Sequence, residues 1–129
     1  MILGFSREFP WGGETLFREK IASGQKIHTV RHDKKNRWKP GRQIEMAYGI
    51  RTKSYEQFNS GICVATHEIC INPDRERVFV GIGQGIVYRY SGVLSFAKND
   101  GFDSLEDFWK WFDKPFDGKL IVWKLYGQC

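Results

Sequence analysis

Short runs in which apolar and polar residues alternate fill most of this chain, broken by two stretches with the wider spacing of an amphipathic helix. Between residues 27 and 31, Ile27, Thr29 and Arg31 fall on one side and His28 and Val30 on the other, which predicts a strand. Residues 43–52 and 61–72 read as longer strands, the second rich in Ile, Val, Thr and Cys, and "RVFVGI" after the turn "NPDRE" reads as another. Residues 2–5 form a short opening strand, and "KLIVWKLY" closes the chain as a strand with an apolar centre.

Helical spacing comes first over residues 14–23: Leu16, Phe17 and Ile21 share a stripe, Glu14 suits the positive end, and Gly24 supplies a stop. It returns at Leu105, Phe108, Trp109 and Phe112, the i, i+3, i+4, i+7 face of a helix. Asp103 and Glu106 are spaced there as a capping box, and Pro115 lies beyond the end. The pattern predicts an α+β protein around a small sheet or barrel, with one helix near the N-terminus and one before the last strand. "GIGQG", from Gly81 to Gly85, lacks the full spacing of a dinucleotide loop and no suitable helix follows it, so it reads as a connection between strands. "FPWGG" near the start allows either a lid or a packed edge.

Length and composition narrow this further. At 129 residues, 41% hydrophobic and 16% aromatic, the chain reads as one domain with a real core. No apolar run approaches a membrane span, and the N-terminus lacks the basic, apolar and small-residue zones of a secretory signal, so a soluble cytoplasmic protein is expected. Cys63, Cys70 and Cys129 show no close pair, His32 and His67 have no partners at ligand spacing, and His28, opposite Thr29, reads as packed or exposed rather than catalytic; the expectation is reduced thiols, no metal and no cofactor. The net charge of +5 is concentrated locally, where Arg31, Lys34, Lys35, Arg37, Lys39 and Arg42 face one acid, Asp33. Such a patch points to an anionic partner.

Two segments carry a resemblance. "GQKIHTVR" is a helix-ending Gly followed by Lys-x-x-Thr-x-Arg, with the turn "KPGR" before the next strand, and "FAKNDGFDSLEDFWKWF" is an acidic segment running into a helix. Together they resemble the ASCH family, a PUA-like β-barrel group, over nearly the whole chain from about Leu16 to about Leu125. The resemblance implies a barrel of about six strands with a cleft on one side, and an RNA, nucleotide or modified nucleoside as partner. Some small members are amidohydrolases that remove the acetyl group from N4-acetylcytidine with a Lys, a Thr three residues later and a Glu. These fall on Lys26, Thr29 and Asp100, the last one methylene shorter than the family's Glu.

The chemistry of the residues is compatible with that assignment. A lysine in a partly desolvated cleft has a lowered pKa and serves as base, a threonine beside it becomes a usable nucleophile, and a carboxyl group donates a proton to a leaving amine. Residues three apart on a regular strand point to opposite faces, so Lys26 has to lie at the entry of the strand to meet Thr29. Asp100 is either that acid or part of the turn "KNDG". Arg31 shares a face with Thr29, and its planar fork suits a phosphate or a carbonyl. Lys34, Lys35, Arg37, Lys39 and Arg42 are candidates for phosphate contacts, with Trp38 either stacked on a base or tucked into the barrel. Two readings remain: a binding module for RNA or a nucleotide, and a nucleoside amidohydrolase.

Overall fold

The computed structural model describes residues 1–81, 86–89 and 91–127. Its strands are β1 (Ile2–Phe5), β2 (His28–Arg31), β3 (Gln43–Tyr48), β4 (Glu56–Asn72), β5 (Arg77–Val80), β6 (Ile86–Arg89) and β7 (Phe116–Leu125). The helices are α1 (Phe17–Ser23), α2 (Ser91–Asn99) and α3 (Leu105–Trp111), with a 3₁₀ turn at Pro73–Arg75. The seven strands form one mixed sheet, in which β1 runs parallel to β3 and every other pairing is antiparallel. Among the described residues, no helix is long and apolar enough to cross a membrane.

The 17-residue β4 organises the sheet. Its first third pairs with β3, its middle and end with β7, and its last four residues also with β5. A bulge between Cys63 and Ala65 leaves Val64 unpaired and exposed, and a second irregularity lies at Met46/Ala47. Bulges bend a strand and increase its twist. The ladder β1-β3-β4-β7-β2 therefore ends in two edges, β1 and β2, that are not hydrogen-bonded to each other along the backbone. A side chain spans them: Arg31 Nη2 donates to the Gly4 carbonyl at 2.5 Å.

The centre of β7, "LIVW", does not alternate, because both faces of that strand are covered. Ile121, Trp123 and Leu125 join Leu3, Phe5, Phe17, Ile21, Met46 and Cys63 in one apolar cluster. Leu120, one residue away, joins Val30, Ile71, Val78, Phe96, Phe102 and Phe108 in a second, under α2 and α3. Trp111 packs against both.

Several sequence expectations are corrected. The first helix begins at Phe17 rather than Glu14, because Glu8 and Glu14 bridge and the Thr15 hydroxyl donates to Ser6 O at 2.7 Å, holding residues 8–15 in a hairpin. The aromatics of "FPWGG" make it a packed edge: Phe9 and Trp11 stack at 4.9 Å and Trp111 meets both edge-on. The strand from residue 43 stops at Tyr48, where Gly49 and Arg51 adopt positive φ. The last helix is capped by Ser104, whose side chain accepts from Asp107 N at 3.1 Å, so the Asp103/Glu106 capping box is not formed. Strand β6 and helix α2 have no counterpart among the sequence expectations. Of "GIGQG", residues 82–85 lie outside the described residues, as does Cys129.

The basic loop, residues 32–42, is organised by its one acid. Asp33 accepts from the Arg37 and Trp38 amides at 2.8 and 2.9 Å and from Lys119 Nζ at 2.9 Å. Lys119 is itself buried and also donates to Asn36 and to the Trp38 carbonyl. Burial opposes ionisation of Asp33, but the bonds from Lys119 and the two amides outweigh it and hold the carboxyl below its usual range. A carboxyl with a depressed pKa contributes stability above the unfolded value and loses it as pH falls through the folded value. Asp33→Ala is therefore expected to cost about 3 kcal/mol at pH 7 by leaving Lys119 buried and unpaired, and less below about pH 4. Urea unfolding at both pH values checks it; a cost independent of pH contradicts it.

Candidate functional site

The cleft forms where the edge of β2 meets the end of α2. Val93, Phe96 and Ala97 are the buried face of α2, and Asp100, four residues after Phe96, continues it. The Asp100 amide donates to Phe96 O at 2.9 Å, so the last turn carries the carboxyl group inward. The Ile27 amide donates to Asn99 O at 2.9 Å, which docks this helix end on the strand's entry.

Lys26 sits just before β2, outside the regular ladder. It is 2% exposed, and its ammonium donates to His28 O at 2.9 Å and to Asp100 O, with Asp100 Oδ1 at 3.7 Å. Three aromatic rings, of Phe17, Phe5 and Trp123, lie within 4.9 to 5.8 Å of the nitrogen. Burial lowers the Lys26 pKa to about 8; Asp100 opposes the shift and Arg31 adds to it. A buried amine with that pKa is a competent base near neutrality.

Gly101 makes room for this lysine. It has φ of +101°, and a Cβ there would lie 2.8 Å from Lys26 Cδ and 2.9 Å from Phe17 Cε1. Its carbonyl accepts from the buried Lys20 Nζ at 2.8 Å, and Lys20 pairs with Asp103 at 3.3 Å. A glycine is required on both conformational and spatial grounds.

Lys26, Thr29, Arg31 and Asp100 line one cavity of about 160 Å³, together with Gly4, Phe5, Ser6, Phe17, Phe102 and Trp111. The cavity lies at the seam of the two apolar clusters. Thr29 is buried against it, and its hydroxyl has no hydrogen-bond partner among the described residues. Arg31 stacks its guanidinium 5.1 Å from the Phe5 ring centre, and its Nε is a buried donor with no partner among the described residues. Burial also lowers the Arg31 pKa, against the pull of Asp100.

The cationic loop is a separate feature. Lys34, Lys35, Arg37, Lys39 and Arg42 are exposed, and none of them lines this cavity. Trp38 does not stack outward: it is buried in the first apolar cluster, pulled in with its amide on Asp33, and so is not available to a base. Cys63 is buried core and Cys70 half-buried, both with thiols pushed up first by desolvation.

His28 is the site residue that the sequence did not bring out. It faces away from Thr29, is 6% exposed, stacks on Phe96 at 4.8 Å, and places Nδ1 2.9 Å from Asp100 Oδ1. The signal for it was indirect: Val93, Phe96, Ala97 and Asp100 have helical spacing, which puts the carboxyl on the buried side where the inward face of β2 ends.

No protein-family model matches the chain, and no curated protein or solved structure matches it significantly.

Proposed function

We propose that this chain is an ASCH-type, PUA-like barrel protein whose cavity is an amidohydrolase site for a modified pyrimidine nucleoside such as N4-acetylcytidine. The observation that carries the reading is the convergence of Lys26, Thr29, Arg31 and Asp100 on one cavity, with Lys26 and Asp100 74 residues apart in the chain. The barrel is supported by the bent β4 and by Arg31 bridging the two open edges. The cavity is smaller than a drug-sized pocket, which suits one small planar group rather than an extended ligand.

In this reading the Lys26 ammonium first passes its proton to the Asp100 carboxylate 3.7 Å away, and the neutral amine then takes the Thr29 proton as Oγ1 attacks the acetyl carbon. The orphaned Arg31 Nε–H faces the developing oxyanion. Asp100 gives its proton to the departing N4 amine, and the proton on Lys26 passes to the Asp100 carboxylate, which resets both groups. Water then cleaves acetyl-Thr29 with Lys26 as base, and Thr29 recovers its proton.

A second reading has one observation in its favour, the five exposed cations of residues 34–42, which suit a nucleic-acid backbone. One experiment addresses both. Wild-type protein at stoichiometric concentration is incubated with N4-acetylcytidine and with a short RNA carrying that base. Release of acetate, with an acetyl group trapped on Thr29, is expected; salt-sensitive RNA binding without any acetate leaves the binding reading alone, and neither outcome would sink both.

A further inference from the structure

We propose that His28 is the positioning residue of this site: it orients the Asp100 carboxyl group so that its acidic proton sits on the oxygen facing the substrate. The inference rests on the amidohydrolase reading and adds a group outside the Lys-Thr-acid set. His28 and Asp100 are 6% and 3% exposed, and Nδ1 lies 2.9 Å from Oδ1. A pair this deeply buried needs its hydrogen bond, because an unmet polar group there costs the full desolvation penalty. The imidazole ring is fixed by the face of Phe96 at 4.8 Å, and its own backbone carbonyl is held by Lys26 Nζ at 2.9 Å. The donor is therefore rigid on both sides.

With the Nδ1–H given to Oδ1, the carboxyl group's own proton belongs on Oδ2. That oxygen has no hydrogen-bond partner among the described residues, and Asp100 lines the cavity. An aspartate is shorter than a glutamate and reaches less far into the space. Anchoring its inner oxygen compensates by fixing the direction in which the outer one points. His28 does not itself line the cavity, so it acts through Asp100, which does.

The test compares His28→Ala with His28→Asn, whose amide nitrogen stands near the position of Nδ1 but does not titrate. With both variants folded by circular dichroism, His28→Ala is expected to lower kcat roughly 10- to 100-fold with KM changed less than about twofold, within what a positioned acid contributes. His28→Asn is expected to recover most of that loss. Unchanged kcat in His28→Ala, or a His28→Asn variant as slow as His28→Ala, overturns the proposal while leaving the amidohydrolase reading intact. Should wild-type protein release no acetate, that reading fails, and His28 is judged on the free protein by nitrogen-15 NMR. A protonated, downfield Nδ1–H lost in Asp100→Ala sustains the positioning role, and its absence from wild type refutes it.

Discussion

On the proposed amidohydrolase reading Lys26→Met is expected to abolish turnover, by at least about 10³-fold, and to remove a pH dependence of stability that the wild-type protein carries. The two effects share one cause. Burial lowers the Lys26 pKa from 10.5 to about 8, so the folded state binds its proton less tightly than the unfolded state does. Below pH 8 the ammonium is present in both states and the folded protein bears the cost of burying it. Between about pH 8 and 10.5 the unfolded chain holds more protons, so stability rises with pH over that window. From pH 7 to pH 10 the gain from this residue is about 2–3 kcal/mol. Methionine has similar length and no charge, so the variant gains nothing over the same range. At neutral pH relief from burying the charge opposes two losses, the counter-charge of Asp100 and the donor to the His28 and Asp100 carbonyls. Denaturant unfolding of both proteins at pH 7 and pH 10 measures the difference; parallel pH curves would show that burial does not depress the Lys26 pKa.

What could be read from the sequence divides by physical cause. Strands β1, β3 and β5 and helix α3 were legible because one covered face leaves alternation, or the i, i+3, i+4 spacing of Leu105, Phe108 and Phe112, in the sequence, while β7 was legible by its apolar centre. The true length of β4 was not, since its first residues, "EQFNS", are polar and exposed and join the sheet only through β3. Helix α2 was hidden by its narrow apolar face of Val93, Phe96 and Ala97 in nine residues. Missing it also hid the reason for Asp100's position, which is the phase of that helix rather than the turn that follows. Within the site, Lys26, Thr29 and Arg31 were legible because they are neighbours in the chain, and Lys26 does lie at the strand entry as the geometry of a strand requires. His28 was not, because its importance depends on a partner 72 residues away. Trp38 defeated the reading of a cationic loop with an outward aromatic, because one buried acid, Asp33, turns the loop's backbone inward.

Asp100→Ala is expected to be the most damaging single change in the cleft. It removes the acceptor of His28 Nδ1 and the carboxylate closest to the Lys26 ammonium, both in surroundings with almost no water access. Removing one member of a buried charged set leaves the others uncompensated, which costs about 3 kcal/mol at neutral pH. The backbone carbonyl of residue 100 still accepts from Lys26, so part of the ammonium's coordination survives and the protein is expected to fold. Asp100 is the main influence raising the Lys26 pKa against burial, so in the variant that pKa falls below its wild-type value of about 8. The sign of the pH effect follows. Once the lysine is neutral it no longer needs a counter-charge, and the stability deficit of Asp100→Ala should shrink as pH rises from 7 towards 9.5. Asp100→Asn, which keeps an acceptor oxygen for His28, should lie between wild type and the alanine variant in stability. On the proposed amidohydrolase reading neither can supply the proton for the leaving amine, so both should lose roughly 10²- to 10⁴-fold in turnover. A carboxyl that merely shaped the turn after α2 would behave differently: Asp100→Asn would keep most of the activity, and the alanine deficit would be flat between pH 7 and 9.5.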